Sequence, residues 1–192
     1  MNKYLKILLY SSFFITLAGG FFTPIYAIFV EDIGGDILTA GSAYAVFSIV
    51  SGVLIYLIGL WEDKVKHQEK LLVAGRGISV LGFAGYLFIN SPMDLFIVQI
   101  LLGIGSAVGT PAFDSLYSSA LDKGKYASEW GTWEAMYGIV SGIGAIVGSY
   151  IAMFYGFVTL FYVMFFISAL SFIATLFLPM QKIKRKKKLK KF

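Results

Sequence analysis

Apolar residues gather into six long blocks along the chain, separated by short polar breaks. The blocks run over Leu5–Val30, Ala40–Trp61, Leu71–Asn90, Leu95–Ser119, Gly131–Tyr155 and Phe157–Pro179. Each is about as long as the roughly 20 residues that a helix needs to cross a hydrocarbon core of about 30 Å. The pattern predicts an all-α membrane protein with six transmembrane helices. The short breaks predict that neighbouring spans pack as antiparallel pairs. The first block is too long for the apolar region of a secretory signal, and it lacks a small-x-small cleavage site before Glu31 and Asp32. It is read as a retained span.

Composition supports this class. Of 192 residues, 58% are hydrophobic and only 14% charged, whereas a soluble domain carries about 25% charged residues. A water-soluble fold with this composition would lack the polar surface to cover its core.

The positions of the charges set an orientation. Lys3 and Lys6 precede the first block. Lys64, Lys66, Lys70 and Arg76 lie between or just inside blocks two and three, Lys123 and Lys125 between blocks four and five, and eight more basic residues follow block six. These segments hold all 16 Lys and Arg residues, while the opposite face carries Glu31, Asp32, Asp36 and Asp94. Basic residues accumulate on the cytoplasmic side, so both ends are expected there, in a multi-pass protein of the cell membrane. The chain thus divides into a bundle over residues 1–180 and a basic cytoplasmic tail over 181–192. A run such as Lys182–Lys191 alone would suit nucleic acid. Beside an apolar span it fits anionic lipid headgroups, and no nucleic-acid partner is expected.

Two segments of the chain resemble each other. Residues 41–53 read GSAYAVFSIVSGV and residues 131–143 read GTWEAMYGIVSGI, with Gly41/Gly131, Ala45/Ala135, Ile49/Ile139, Val50/Val140, Ser51/Ser141 and Gly52/Gly142 identical. Thr23-Pro24-Ile25-Tyr26 is similarly echoed by Thr110-Pro111-Ala112-Phe113. The two offsets, 90 and 87 residues, nearly agree. The expected organisation is two three-helix repeats, 5–90 and 94–179. An odd number of spans per repeat gives them inverted topology, a common plan in secondary transporters.

The loop after block two reads Gly59-Leu60-Trp61-Glu62-Asp63-Lys64-Val65-Lys66-His67. It resembles the G-x-L-A-D-R-x-G-R-R loop between spans two and three of the major facilitator superfamily. Gly59, Asp63 and basic Lys64 match; Trp61 and Glu62 stand for Leu and Ala. In block four, Gln99-Ile100-Leu101-Leu102-Gly103-Ile104-Gly105-Ser106-Ala107 is similar to the family pattern R-x-x-Q-G-x-G-A-A. Gly103, Gly105 and Ala107 match, but Gln99 replaces the arginine. Block five is glycine-rich without the Gly-Pro pair of the family's antiporters, so no antiport is inferred. The resemblance covers the chain but only half of a twelve-span carrier. It implies one six-helix bundle, like the N-terminal half, with solute contacts on spans one and four.

Several residues are candidates on this basis. Gly59, Asp63, Lys64 and Asp114 form an expected gating cluster at the cytoplasmic loop. For Asp114, pairing with Arg76 or Lys64 and a proton or cation site stay open. Tyr26, Gln99, Pro24 and Pro111 are candidate cavity residues, the prolines because each removes a helical hydrogen bond and favours a kink. Gly52, Gly103, Gly105, Gly138 and Gly142 are helix-packing candidates, since small residues let helices approach closely. The same glycines on spans two and five would also suit a contact along which two bundles rock.

Enzymatic chemistry finds no support in these residues. There is no cysteine, the single histidine, His67, lies in a loop, and neither a phosphate-binding loop nor a zinc-binding His pair occurs. No catalytic residue, metal or cofactor is expected. The expected function is secondary-active transport of a small solute by alternating access, as a homodimer of half-size bundles. The alternatives are a membrane scaffold or assembly factor, or the truncated half of a longer carrier.

Overall fold

A computed structural model describes residues 3–179 of the chain, so the basic tail expected over 181–192 lies outside the described residues. Among these residues all regular elements are helical. They are α1 (Lys3–Phe22), a 3-10 turn (Thr23–Ile25), α2 (Tyr26–Asp32), α3 (Ile37–Glu62), α4 (Gln68–Gly85), a second 3-10 turn (Tyr86–Phe88), α5 (Pro92–Ala120) and α6 (Tyr126–Leu176). Among the described residues, five helical segments are long and apolar enough to cross a membrane: Lys3–Asp32, α3, Gln68–Phe88, α5 and α6.

Helix starts follow local chemistry. Asp36 caps α3, its Oδ1 accepting from the Thr39 amide at 2.7 Å and the Thr39 hydroxyl at 2.6 Å. These two donors hold the Asp36 carboxyl below its usual pKa. Ser91 caps α5, and Asp94 returns a bond to the Ser91 amide at 2.9 Å, closing a capping box ahead of Pro92. The two candidate kink prolines behave differently. Pro24 lies in the 3-10 turn where α1 gives way to α2, whereas Pro111 sits inside a continuous α5.

The sequence blocks Gly131–Tyr155 and Phe157–Pro179 fall largely within α6. Its 51 residues would span about 76 Å if straight, over twice a bilayer core. They are broken at Gly156, whose φ of 80° and ψ of 165° belong to a region open essentially to glycine alone. The order of contacts along α1 differs on the two sides of this break. Before it, Trp130–Met136 share a core cluster with Tyr4–Leu9, and Gly144 and Gly148 meet Gly20 and Phe21. After it, Phe161 packs on Phe22 at 5.3 Å between ring centroids, and the Ser171 hydroxyl donates to the Ser11 carbonyl at 2.6 Å. The first half of α6 therefore runs with α1 and the second half runs against it.

Packing relies on close backbone approach. α4 and α5 run antiparallel, with Gly75 against Gly109 and Ser79 against Gly105. On the other side, Gly148 lies against the Phe21 backbone so closely that a Cβ there would meet its carbonyl oxygen. Two hydrophobic clusters fill the ends of the bundle. One joins Phe21–Val30, Phe83, Tyr86, Leu95 and Leu160–Met164. The other joins Tyr4–Leu9, Leu72, Ala112–Ala120 and Leu178.

Candidate functional site

Between the two clusters lies a cavity of about 820 Å³, walled by α1, α3, α4, α5 and α6. Many small-molecule sites hold about 300–1,000 Å³. The wall is mainly apolar and aromatic, with Phe47, Phe83, Phe113, Trp133 and Tyr137 among its residues. Hydroxyls are set into it from Thr16, Thr23 and Ser79 and from Ser106 and Thr110, whose oxygens lie 3.4 Å apart.

A buried amide anchors one end of the cavity. The Gln99 Nε2 donates to the Tyr26 hydroxyl at 2.9 Å and to the Tyr86 hydroxyl at 3.3 Å. The two phenols come from the α1–α2 segment and the turn after α4, so Gln99 ties three segments together. Tyr86 also stacks on Phe161 at 5.1 Å. The Phe22 ring sits edge-on to Tyr26, Phe29, Tyr86, Phe157 and Phe161. Such edge-to-face pairs bring the positive rim of one ring to the negative face of another.

Two charges face the same space, Arg76 from α4 and Asp114 from α5. The Arg76 Nη2 donates to the Ser12 Oγ at 3.2 Å. Asp114 makes no hydrogen bond or ion pair among the described residues. It therefore pairs with neither Arg76 nor Lys64 here.

The candidates fall into four places. Tyr26, Gln99, Pro24, Gly105 and Asp114 line the cavity, while Pro111 does not. Gly103 packs inside the bundle, where a Cβ would lie 3.1 Å from the Phe47 carbonyl oxygen and from Val50 Cγ1. Gly52, Gly138 and Gly142 face open space on α3 and the first half of α6, with nothing within 4 Å of where a Cβ would stand. Their neighbours on these helices are exposed apolar side chains, among them Ile49, Val53 and Leu57 on α3 and Ile139, Ile143 and Ile146 on α6.

Gly59, Asp63 and Lys64 sit at the end of α3 and the start of its loop, where the Asp63 amide donates to the Gly59 carbonyl at 3.3 Å. Asp63 and Lys64 are exposed and, like Asp114, form no ion pair among the described residues. Their neighbour Glu62 is only 2% exposed, and neither carboxylate oxygen finds a donor among the described residues. The Gln68 Nε2 bonds instead to the Glu62 main-chain carbonyl at 3.4 Å. No cluster of three metal-ligating side chains occurs among the described residues.

Sequence reasoning passed over Arg76 and Tyr86 as cavity residues. Arg76 reads in the sequence with the charges just inside block three; α4 starts at Gln68, which places Arg76 about 12 Å along the helix. Tyr86 carries no motif, and its role depends on a fold that brings α4 beside α5.

Taken together, the long apolar helices define a multi-pass helical membrane protein. The family model of the Major Facilitator Superfamily matches residues 8–192, and the chain belongs to that family of membrane transporters. It is 28% identical over 156 residues to the uncharacterized MFS-type transporter YitZ of Bacillus subtilis, covering 79% of this chain and 94% of that protein. It is 25% identical over 171 residues to the uncharacterized MFS-type transporter MJ1560 of Methanocaldococcus jannaschii, covering 89% of this chain and 44% of that protein. To the multidrug resistance protein MdtH of Escherichia coli strain SE11 it is 26% identical, over 79% of this chain and 39% of that protein. The chain thus spans under half the length of the latter two relatives and nearly all of the first.

Proposed function

We propose that this chain is a six-span bundle of two inverted three-helix repeats, and that two copies side by side form a secondary-active carrier for a small solute. The observation that carries this reading is the contrast between faces. The cavity wall draws Tyr44 and Phe47 from α3 and Trp133, Tyr137, Ser141 and Ala145 from α6, while Gly52, Gly138 and Gly142 of the same two helices stand on exposed apolar faces with nothing packed on them. The reversal at Gly156 supports reading α6 as two crossings. The repeat supports it too, because Gly52 and Gly142, matched by sequence, hold matching exposed positions.

In a parallel pair related by a twofold axis along the membrane normal, α3 of one copy meets the first half of α6 of the other. Asp63 and Lys64 then sit beside the partner's helix start, where gating charges would act. Rocking of the two bundles exposes the cavity between them to each side in turn. Both chain ends lie in the cytoplasm of the cell membrane, and the basic tail lies on anionic headgroups.

A second copy is one source of the second bundle; in MJ1560 and MdtH the unmatched length is enough for another. A membrane scaffold is the competing reading, and the polar-dotted cavity favours transport over it. Uptake by liposomes of the purified full chain, with and without a pH gradient, tests the proposal, alongside native mass measurement. A monomer without uptake of any solute in a broad panel overturns it.

A further inference from the structure

We infer that Arg76 is the recognition point for an anionic group, so that the cavity takes an amphipathic organic anion. This rests on reading the cavity as the solute site. Arg76 is the one basic side chain among the cavity residues, and a guanidinium stays charged throughout the physiological pH range. Of its five donors, one bonds to Ser12, and its Nε is buried with no partner among the described residues. A charge held within a membrane bundle normally faces water or an opposite charge.

The acid that shares the cavity is at a different depth. Gly75 sits against Gly109, so Arg76 is level with Val108. Asp114 lies six residues further along α5, about 9 Å by helical rise. That separation leaves the guanidinium fork free for a carboxylate, sulfonate or phosphate, which it would meet with two parallel hydrogen bonds. Phe47, Phe113 and Trp133 supply apolar wall for an attached ring.

The test uses the purified full chain in nanodiscs. Salicylate and benzenesulfonate are titrated against benzyl alcohol and benzylamine, read by tryptophan fluorescence, since Trp133 lines the cavity, and by thermal shift. The anions are expected to bind about tenfold or more tighter than the alcohol and the amine, the scale of a charge-assisted pair. Arg76→Gln is expected to remove that preference, and Asp114→Asn to tighten anion binding. The preference itself needs no variant, so the test stands even where Arg76→Gln fails to fold. Anions that fail to bind, ring compounds that bind regardless of charge, or a preference that survives in Arg76→Gln would each overturn the inference. Anion binding without liposome uptake would overturn the carrier reading and leave this site standing. Uptake of amines unaffected by Arg76→Gln would do the reverse.

Discussion

Gly148 and Gly142 lie six residues apart on the same helix and meet opposite surroundings. Gly148 is pressed against the Phe21 backbone, whereas Gly142 has nothing within 4 Å. Gly75 on α4 and Gly52 on α3 differ in the same way. Glycine at helical spacing therefore marks a surface for close approach without saying what approaches. Inside this bundle the answer is α1 for Gly148 and α5 for Gly75. For Gly52 and Gly142 the proposed answer is a second bundle.

This contrast can be broken by substitution. Gly148→Ala forces a methyl into the Phe21 backbone, which cannot rotate away. Overpacking of this kind costs about 3 kcal/mol at the upper end of the usual range, and thermal unfolding in detergent should show the largest loss here. Gly75→Ala meets the Gly109 backbone nitrogen at 2.5 Å and should lose nearly as much. Gln99→Leu removes the two bonds to Tyr26 and Tyr86 and strands both phenols, for about 2 kcal/mol, again read by unfolding.

Smaller effects sharpen the comparison. Glu62→Ala removes a buried carboxylate that finds no donor among the described residues and should raise the bundle's stability by about 1 kcal/mol. A fall in stability that tracks protein concentration would show instead that the second bundle supplies its partner. Gly142→Ala and Gly52→Ala should leave the bundle unharmed or gain a few tenths of a kcal/mol, up to about 1 kcal/mol, from helix propensity. If Gly142→Ala costs as much as Gly148→Ala, the distinction between the two faces fails.

Helices and their ends were legible because apolar length and capping chemistry are local. The block Ala40–Trp61 became Ile37–Glu62, and Leu95–Ser119 became Pro92–Ala120, extended by the caps at Asp36 and Ser91. The break between blocks five and six was legible only as the glycine between Tyr155 and Phe157. Its positive φ gave it structural meaning. Tyr26 and Gln99 could be named as cavity residues, but the bond between them spans 73 residues of sequence and belongs to the packing of α1 on α5. The glycines of α3 and the first half of α6 were legible as small, with packing inside the bundle and contact between bundles both open, because direction depends on the neighbours a helix acquires. Arg76 reads in the sequence as one more charge near a span end; its place in the cavity wall depends on how α4 packs against its neighbours.

Cross-linking tests the central claim most directly, and the absence of cysteine from the chain makes it clean. Copies carrying Gly52→Cys are co-expressed with differently tagged copies carrying Gly142→Cys, and membranes are oxidised with copper phenanthroline. The account predicts a covalent dimer holding both tags, absent when Gly142→Cys is replaced by Phe166→Cys, an exposed position on the second half of α6. Only monomers, or equal cross-linking at Phe166, would contradict it.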